Sequence, residues 1–403
     1  MTSPTASRAR LSALEGPSEA SRAGTARDVS QTTPWLAVAV IAAATSVVVG
    51  VVWDISWHMT IGRDTFWTPA HMAMYFGGLV GGVSSGVVVL KTTFRGSEQE
   101  RASSVRFWGF RGPLGAWVSI WGAFAMLSSA PFDDWWHNAY GLDVEILSPP
   151  HVVLAAGMVA LALGAMLVIL AIQNRAPEES ARRWAVSYAY VAGCVLSFLA
   201  IMTTEYSFRT MQHTSLFYRI SCAVFPLILV AAGNTTRHRW GATLVAGSYT
   251  LIRAVMLWVL PLFPATPKLG PIYQDITHMV PMDFPLLLIL PAIAMDLVRQ
   301  RMGIERIWRL ALAQGAVFFA TFLAGQWLLA IFLLSPASHN RVFATNTFPY
   351  DMPKTSGYFR GEWVNFDGTN TALVTGLVVA FGLALVSACV GAAWSKGLRQ
   401  VRR

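Results

Sequence analysis

The sequence predicts an all-α fold: a polytopic membrane helical bundle of about ten transmembrane helices arranged as five hairpins, with no soluble domain. Three observations predict it. The 403 residues are 54% hydrophobic and only 13% charged, far too apolar for a soluble chain of this length. Apolar segments recur from residue 35 to residue 393, each about long enough to cross a hydrocarbon core of ~30 Å as a helix. Lys and Arg gather in every second connection between those segments.

In chain order, residues 1–34 are rich in Ser, Ala, Thr and Arg and read as a disordered cytoplasmic tail. The apolar run starts only after this tail and continues as a full span, so no cleaved signal peptide is expected. Spans follow at 35–56, 68–90, 113–132 and 149–173, which make a first transmembrane region over 35–175. Further spans at 185–205, 214–233, 241–263, 279–298, 309–335 and 370–393 make a second region over 176–403. The connection at 336–369 is the longest outside segment and reads equally as a lid over the hairpins or as a passive surface loop.

Charge placement orients the bundle. The tail, the connections at 91–112, 174–184, 234–240 and 299–309, and the C-terminal end hold 22 of the 30 Lys and Arg. Both termini are therefore expected in the cytoplasm, with the protein in an inner or plasma membrane. The net charge of +9 is thus a topology signal, and nucleic acid is not expected as a partner. Cys194, Cys222 and Cys389 lie in apolar stretches without CxxC spacing, which supports neither a disulfide framework nor a zinc ribbon. Arg219 and Arg253 fall inside spans and call for acidic partners such as Glu205 or Asp283.

The acids and histidines collect at the other ends of the spans. "DISWHMTIGRDTFWTPAH", Asp54 to His71, is echoed by "DDWWHNAYGLDVEILSPPH", Asp133 to His151. Asp54-x3-His58 matches Asp133-x3-His137, and Trp57 matches Trp136. Gly62 matches Gly141, Asp64 matches Asp143, and His71 after Thr68-Pro69 matches His151 after Ser148-Pro149. A repeat with so many fixed polar positions is hard to obtain by chance. Residues i and i+4 share a helix face, so each Asp-x3-His pair points one way. Thr68 and Ser148 read as N-caps with proline at the first helical position. Each hairpin thereby offers a carboxylate and two imidazoles: Asp54, His58 and His71, then Asp133, His137 and His151. Such a set suits a transition metal with open positions, iron(II), copper or zinc. Snorkelling, helix capping and charge pairing with Arg63 are the competing explanation. A further set from Glu205, His213, Asp275 and His278 is the weaker candidate. Met279 and Met282 read as soft ligands or as packing.

The first stretch resembles the metal-site segment of the C subunit of particulate methane monooxygenase and ammonia monooxygenase. That family reads Asp-x3-His-x12-His, with Arg-Asp-Thr and Thr-Pro-x-His where Arg63-Asp64-Thr65 and Thr68-Pro69-Ala70-His71 stand here. The second stretch resembles the family's Asn-x3-His-x13-His set, with Asp133, His137 and His151 in register. The resemblance covers about 35–175, has Asp133 where the family has Asn, and includes no soluble cupredoxin-like domain. It implies copper, partner subunits, and O₂-dependent hydroxylation of a small apolar substrate near the extracytoplasmic face. Asp64 and Asp143 would then serve as catalytic proton-relay or ligand-orienting carboxylates, with Trp57, Trp67, Trp135 and Trp136 as an apolar wall. A copper-handling or solute transporter is the alternative, since transporters too are built from repeated hairpins. A haem carrier ligated by His71 and His151 would leave the neighbouring acids unexplained.

Overall fold

The computed structural model describes residues 33–141 and 148–402. It is an all-helical membrane bundle: α1 (Thr33–Thr60), α2 (Pro69–Arg95), α3 (Leu114–Tyr140), α4 (Pro149–Arg175), α5 (Glu178–Met202), α6 (Ser215–Gly233), α7 (Gly241–Val259), α8 (Ile289–Met302), α9 (Ile307–Leu333) and α10 (Asn370–Arg399). The only sheet among the described residues is a small hairpin, β1 (Val105–Phe107) and β2 (Phe110–Gly112), between α2 and α3. Nine helices among the described residues are long and apolar enough to cross a membrane. The tail expected over 1–34 lies almost wholly outside the described residues, and so does Asp143.

The eighth segment departs from the ten-helix expectation. Residues 279–288 are extended or irregular, and only Ile289–Met302 is helical, too short to span alone. Pro281 and Pro285 explain the break, because each removes a helix donor and disfavours helix in the residue before it. Irregular backbone at membrane depth persists only where protein satisfies it. Here the Thr60 hydroxyl accepts from Val280 N–H at 2.8 Å and the Tyr249 hydroxyl from Leu286 N–H at 3.0 Å. Gln326 Oε1 accepts from Leu287 N–H at 2.8 Å. The chain still crosses the bundle: Val280 meets α1 at its Thr60 end, and Asp296 on α8 accepts from the Ala242 and Thr243 N–H groups that open α7. Met279 and Met282 are buried in the core.

Small residues set the helix packing of the first four helices. A Cβ on Gly122 of α3 would strike Leu161 N and Gly157 O of α4, and one on Gly157 would strike Met126 N. Gly115 and Gly164 repeat this contact two turns away. Such close backbone approach is the usual substitute for hydrophobic drive between helices in lipid. Across α2 and α3, Gly78 faces Met126 and Leu127 while Gly82 faces Ala123. These contacts run antiparallel, so extrapolation up the pair brings the start of α2, with His71, level with the end of α3, with Asp133.

Both described ends of the chain lie at one end of the bundle. Asn174 at the end of α4 donates to Val401 O at 2.8 Å, and Arg399 donates to Asn234 O at 2.7 Å. This end carries the Lys- and Arg-rich connections and is called the basic end below.

Candidate metal centre

At the opposite end, each of the first two hairpins closes with a glycine in the left-handed half of backbone space. Gly62 has φ +81° and Gly141 has φ +109°. A side chain is strained at such φ, which accounts for glycine at this matched position of the repeat. The chain then re-enters a helix at Pro69 or Pro149, each at the first helical position as expected. The expected side-chain caps do not form. Thr68 instead accepts from Thr65 N–H at 2.8 Å, and Ser148 Oγ is buried without a hydrogen bond.

The first cluster draws on α1, the loop and α2. His71 Nε2 stands 3.1 Å from Asp54 Oδ1 and 3.3 Å from Asp64 Oδ2. His58 Nε2 lies 3.4 Å from Asp64 Oδ2 and 3.9 Å from Asp54 Oδ2, on the rim, with half of its side chain exposed. Asp54, Asp64 and His71 each present a ligand atom within 4.8 Å of the others, and His58 stands at their edge. The His58 imidazole beside it holds the Asp64 carboxyl below the usual carboxylate range. Sequence reasoning gives Asp64 a role behind the imidazoles; the loop places its Oδ2 beside both His58 and His71.

The second cluster has the expected set. Asp133, His137 and His151 present ligand atoms within 4.8 Å of one another. His137 Nε2 lies 3.4 Å from Asp133 Oδ2, and His151 Nε2 lies 3.3 Å from Asp133 Oδ1.

Three features of these residues fit a bound cation. His71 Nδ1 lies 2.9 Å from Thr65 O and His137 Nδ1 lies 3.1 Å from Gly141 O. An Nδ1–H donated to a carbonyl leaves Nε2 as the lone-pair atom, the usual arrangement of a metal-ligating histidine. Those Nε2 atoms face carboxylate oxygens, an arrangement satisfied either by a second ring proton or by a cation between them. Asp54 Oδ1 and Asp133 Oδ1 are also buried without a hydrogen bond, although each has an imidazole nitrogen close by. An unsatisfied buried carboxylate oxygen is costly, and the same atom is left open in both halves of the repeat.

The two clusters are neighbours. Tyr75, one turn beyond His71, lies within electrostatic reach of Asp133, Asp54, Asp64 and Asp134. Its ring centroid is 6.2 Å from that of His71 and 5.1 Å from that of Phe66. Sequence reasoning passed over Tyr75, although its i+4 spacing from His71 is the rule that picked out His58. The apolar wall also differs from expectation. Trp67 and Trp135 are 73% and 55% exposed, whereas Trp57, Trp136, Phe66 and Tyr75 are partly buried.

The outer connections of the second region brace the first cluster. Tyr350 N–H donates to Met59 O at 3.0 Å, Lys268 N–H to Ile61 O at 2.9 Å, and Ser56 Oγ to Val280 O at 2.5 Å. The Tyr350 ring closes over Gly62, where no Cβ could fit. Part of the 336–369 connection therefore sits on the first hairpin, as a brace on α1.

The remaining candidates do not assemble. Among the described residues only the two clusters above bring three such side chains together. Glu205, Asp275 and His278 are exposed. His213 is stacked between Trp327 and Trp363, with centroids 3.9 and 3.7 Å away, and burial pushes its pKa down. Asp283 pairs with Arg209 at 3.3 Å, Arg253 meets Met282 Sδ, and Arg219 is exposed on the bundle surface.

Comparison with family models, curated proteins and solved structures finds no match to this chain.

Proposed function

We propose that the chain is the metal-bearing part of a copper-dependent membrane monooxygenase that hydroxylates a small apolar substrate with O₂. The observation that supports this most is the paired geometry: two adjacent carboxylate–histidine clusters, each with imidazole Nε2 atoms and a buried, unsatisfied carboxylate oxygen converging. Asp54, Asp64, His71 and His58 would hold one ion, and Asp133, His137 and His151 the other. Imidazole with carboxylate suits copper and also iron and zinc; the residue pattern that resembles the methane and ammonia monooxygenases favours copper. Copper bound there supplies one-electron redox chemistry toward O₂.

The chain's own residues do the rest. Thr65 O and Gly141 O fix the imidazole tautomers. Asp54 and Asp133 bring negative charge that favours the higher oxidation state. Asp64 adds a second carboxylate to the first cluster. Tyr75, within electrostatic reach of both clusters, is a phenol able to pass a proton, and the bilayer concentrates an apolar substrate beside them. In this reading the basic end is cytoplasmic, the clusters face outward, and partner subunits supply electrons.

The test is purified protein in lipid, with its co-purifying partners, given copper, a reductant and isotopically labelled O₂. Label entering one of a panel of short alkanes, alkenes or ammonia, and lost in His137→Ala, is the expected result. One observation favours a second reading, a transporter: the broken eighth segment, since transporters bind cargo at interrupted helices. Bound metal without label incorporation, together with metal uptake into vesicles, would replace the first reading by the second.

A further inference from the structure

The basic end of the bundle holds a feature that neither metal cluster uses. A cavity of about 120 Å³ opens between the start of α1, the last turns of α2 and α4, and the connection that carries β1 and β2. That volume takes several water-sized groups. Its walls differ in character. Val168 and Ile172 supply an apolar, buried side, and Trp35 stands at the edge. Lys91, Arg95 and Arg175 supply the other side.

These three cations have no carboxylate partner among the described residues. Arg175 donates Nε–H to Ala171 O at 3.0 Å on its own helix. Glu100 also lines the cavity, but its Oε2 accepts from Ser97 N–H at 2.7 Å in a capping box. Three positive groups therefore surround one cavity against a single occupied carboxylate. Such a cluster repels itself unless an anion sits in it.

The surroundings show which anion. The connection beside the cavity is fixed: Arg111 N–H donates to Thr93 Oγ1 at 2.8 Å, and Thr93 Oγ1 donates back to Arg111 O, stitching the strand hairpin to α2. A cationic cavity at the end of a membrane span lies at the level of the lipid headgroups, where an anionic phospholipid presents its phosphate. We propose that it binds the phosphate-bearing headgroup of one anionic phospholipid from the leaflet at the basic end. Basic pockets between membrane helices recognise such headgroups by this chemistry.

The experiment uses the full chain in detergent, titrated with phosphatidylglycerol or phosphatidylcholine and read by native mass spectrometry. Wild type should retain one phosphatidylglycerol per chain in preference to phosphatidylcholine, and millimolar inorganic phosphate should not displace it. Lys91→Gln/Arg95→Gln/Arg175→Gln should weaken retention about a hundredfold, since each basic group near an anionic lipid contributes about fivefold. The charge-keeping Lys91→Arg/Arg95→Lys/Arg175→Lys triple should retain the lipid, which separates loss of charge from loss of fold. Equal retention of the two lipids, or wild-type retention by the neutral triple, overturns the proposal. Displacement of the lipid by inorganic phosphate also overturns it, with a free anion as the occupant. If the neutral triple does not fold, the lipid preference and the phosphate competition in wild type decide.

Discussion

His71 Nε2 and Asp54 Oδ1 stand 3.1 Å apart, although 16 residues and a helix-to-helix turn separate them in the chain. His151 Nε2 and Asp133 Oδ1 repeat the relation at 3.3 Å in the next hairpin. The two repeated hairpins thus close on the same pair of atoms, and both carboxylate oxygens are buried without a hydrogen bond.

The two clusters should load separately. His71→Ala should remove the metal of the first cluster and leave the second filled, and His137→Ala should do the reverse. Asp133→Asn should retain metal, since an amide oxygen can still coordinate. Metal content of each purified variant, by elemental analysis, checks this. Unchanged content in the combined His58, His71, His137 and His151 variant would return the clusters to simple charge pairing.

Asp64 separates a ligand from a supporting group. Its Oδ2 lies 3.3 Å from His71 Nε2, as close as a ligand atom of the second cluster is to its neighbour. Asp64→Ala should therefore weaken metal binding at the first cluster by at least the ~10–100-fold typical of losing an outer-shell partner. Competition against a chelator of known affinity measures it. A change confined to turnover, with affinity intact, would return Asp64 to the relay role.

Gly62 and Gly141 should differ on substitution. Both have positive φ, so alanine at either costs about 1–2 kcal/mol. Only Gly62 also faces the Tyr350 ring, whereas among the described residues nothing lies within 4 Å of a Cβ on Gly141. Thermal unfolding in lipid should show Gly62→Ala as the more damaging change, with part of its excess relieved in Gly62→Ala/Tyr350→Ala. Equal losses at the two positions would mean that Tyr350 does not brace the first hairpin.

The outer connection should loosen when the Arg209–Asp283 pair is broken. Arg209 is 3% exposed, lies over the Tyr358 and Phe348 rings, and shares Asp283 with the Tyr358 hydroxyl at 2.7 Å. Removing one partner of a buried pair costs about 3–5 kcal/mol, because the other charge is left uncompensated. Asp283→Leu should make residues 336–369 sensitive to protease, while Asp283→Leu/Arg209→Met should recover much of the protection.

Acid should loosen the same connection through His213. Burial between Trp327 and Trp363 lowers its pKa, so the folded state prefers the neutral ring. Its contribution is present above the unfolded value near 6.5 and is lost as pH falls through the lowered folded value. Tryptophan fluorescence against pH should show a transition below about pH 6.5 that His213→Phe removes. A transition that persists in His213→Phe belongs to another group.

The membrane bundle, the Asp-x3-His pairs and the repeat were all legible in the chain. Each follows from local rules: apolar length, i+4 spacing, and a glycine and a proline at set places in a turn. The break in the eighth segment was written there too, in Pro281 and Pro285, but apolar composition outweighed it. A hydropathy window counts side chains and does not ask where the backbone donors go. What the hydrogen-bond partners of that break would be could not be read, because Thr60, Tyr249 and Gln326 lie far away in the chain. The same limit held at the candidate metal centre. Spacing put Asp54 and His58 on one face, but the path of residues 61–68 decided that Asp64 stands among the ligand atoms with His58 at the rim. That path is held by Trp57 Nε1 on Arg63 O, by Lys268 on Ile61 and by Tyr350 over Gly62. Two of those three contacts reach across 200 residues or more, a distance over which sequence pattern carries no geometry and packing alone selects the neighbour.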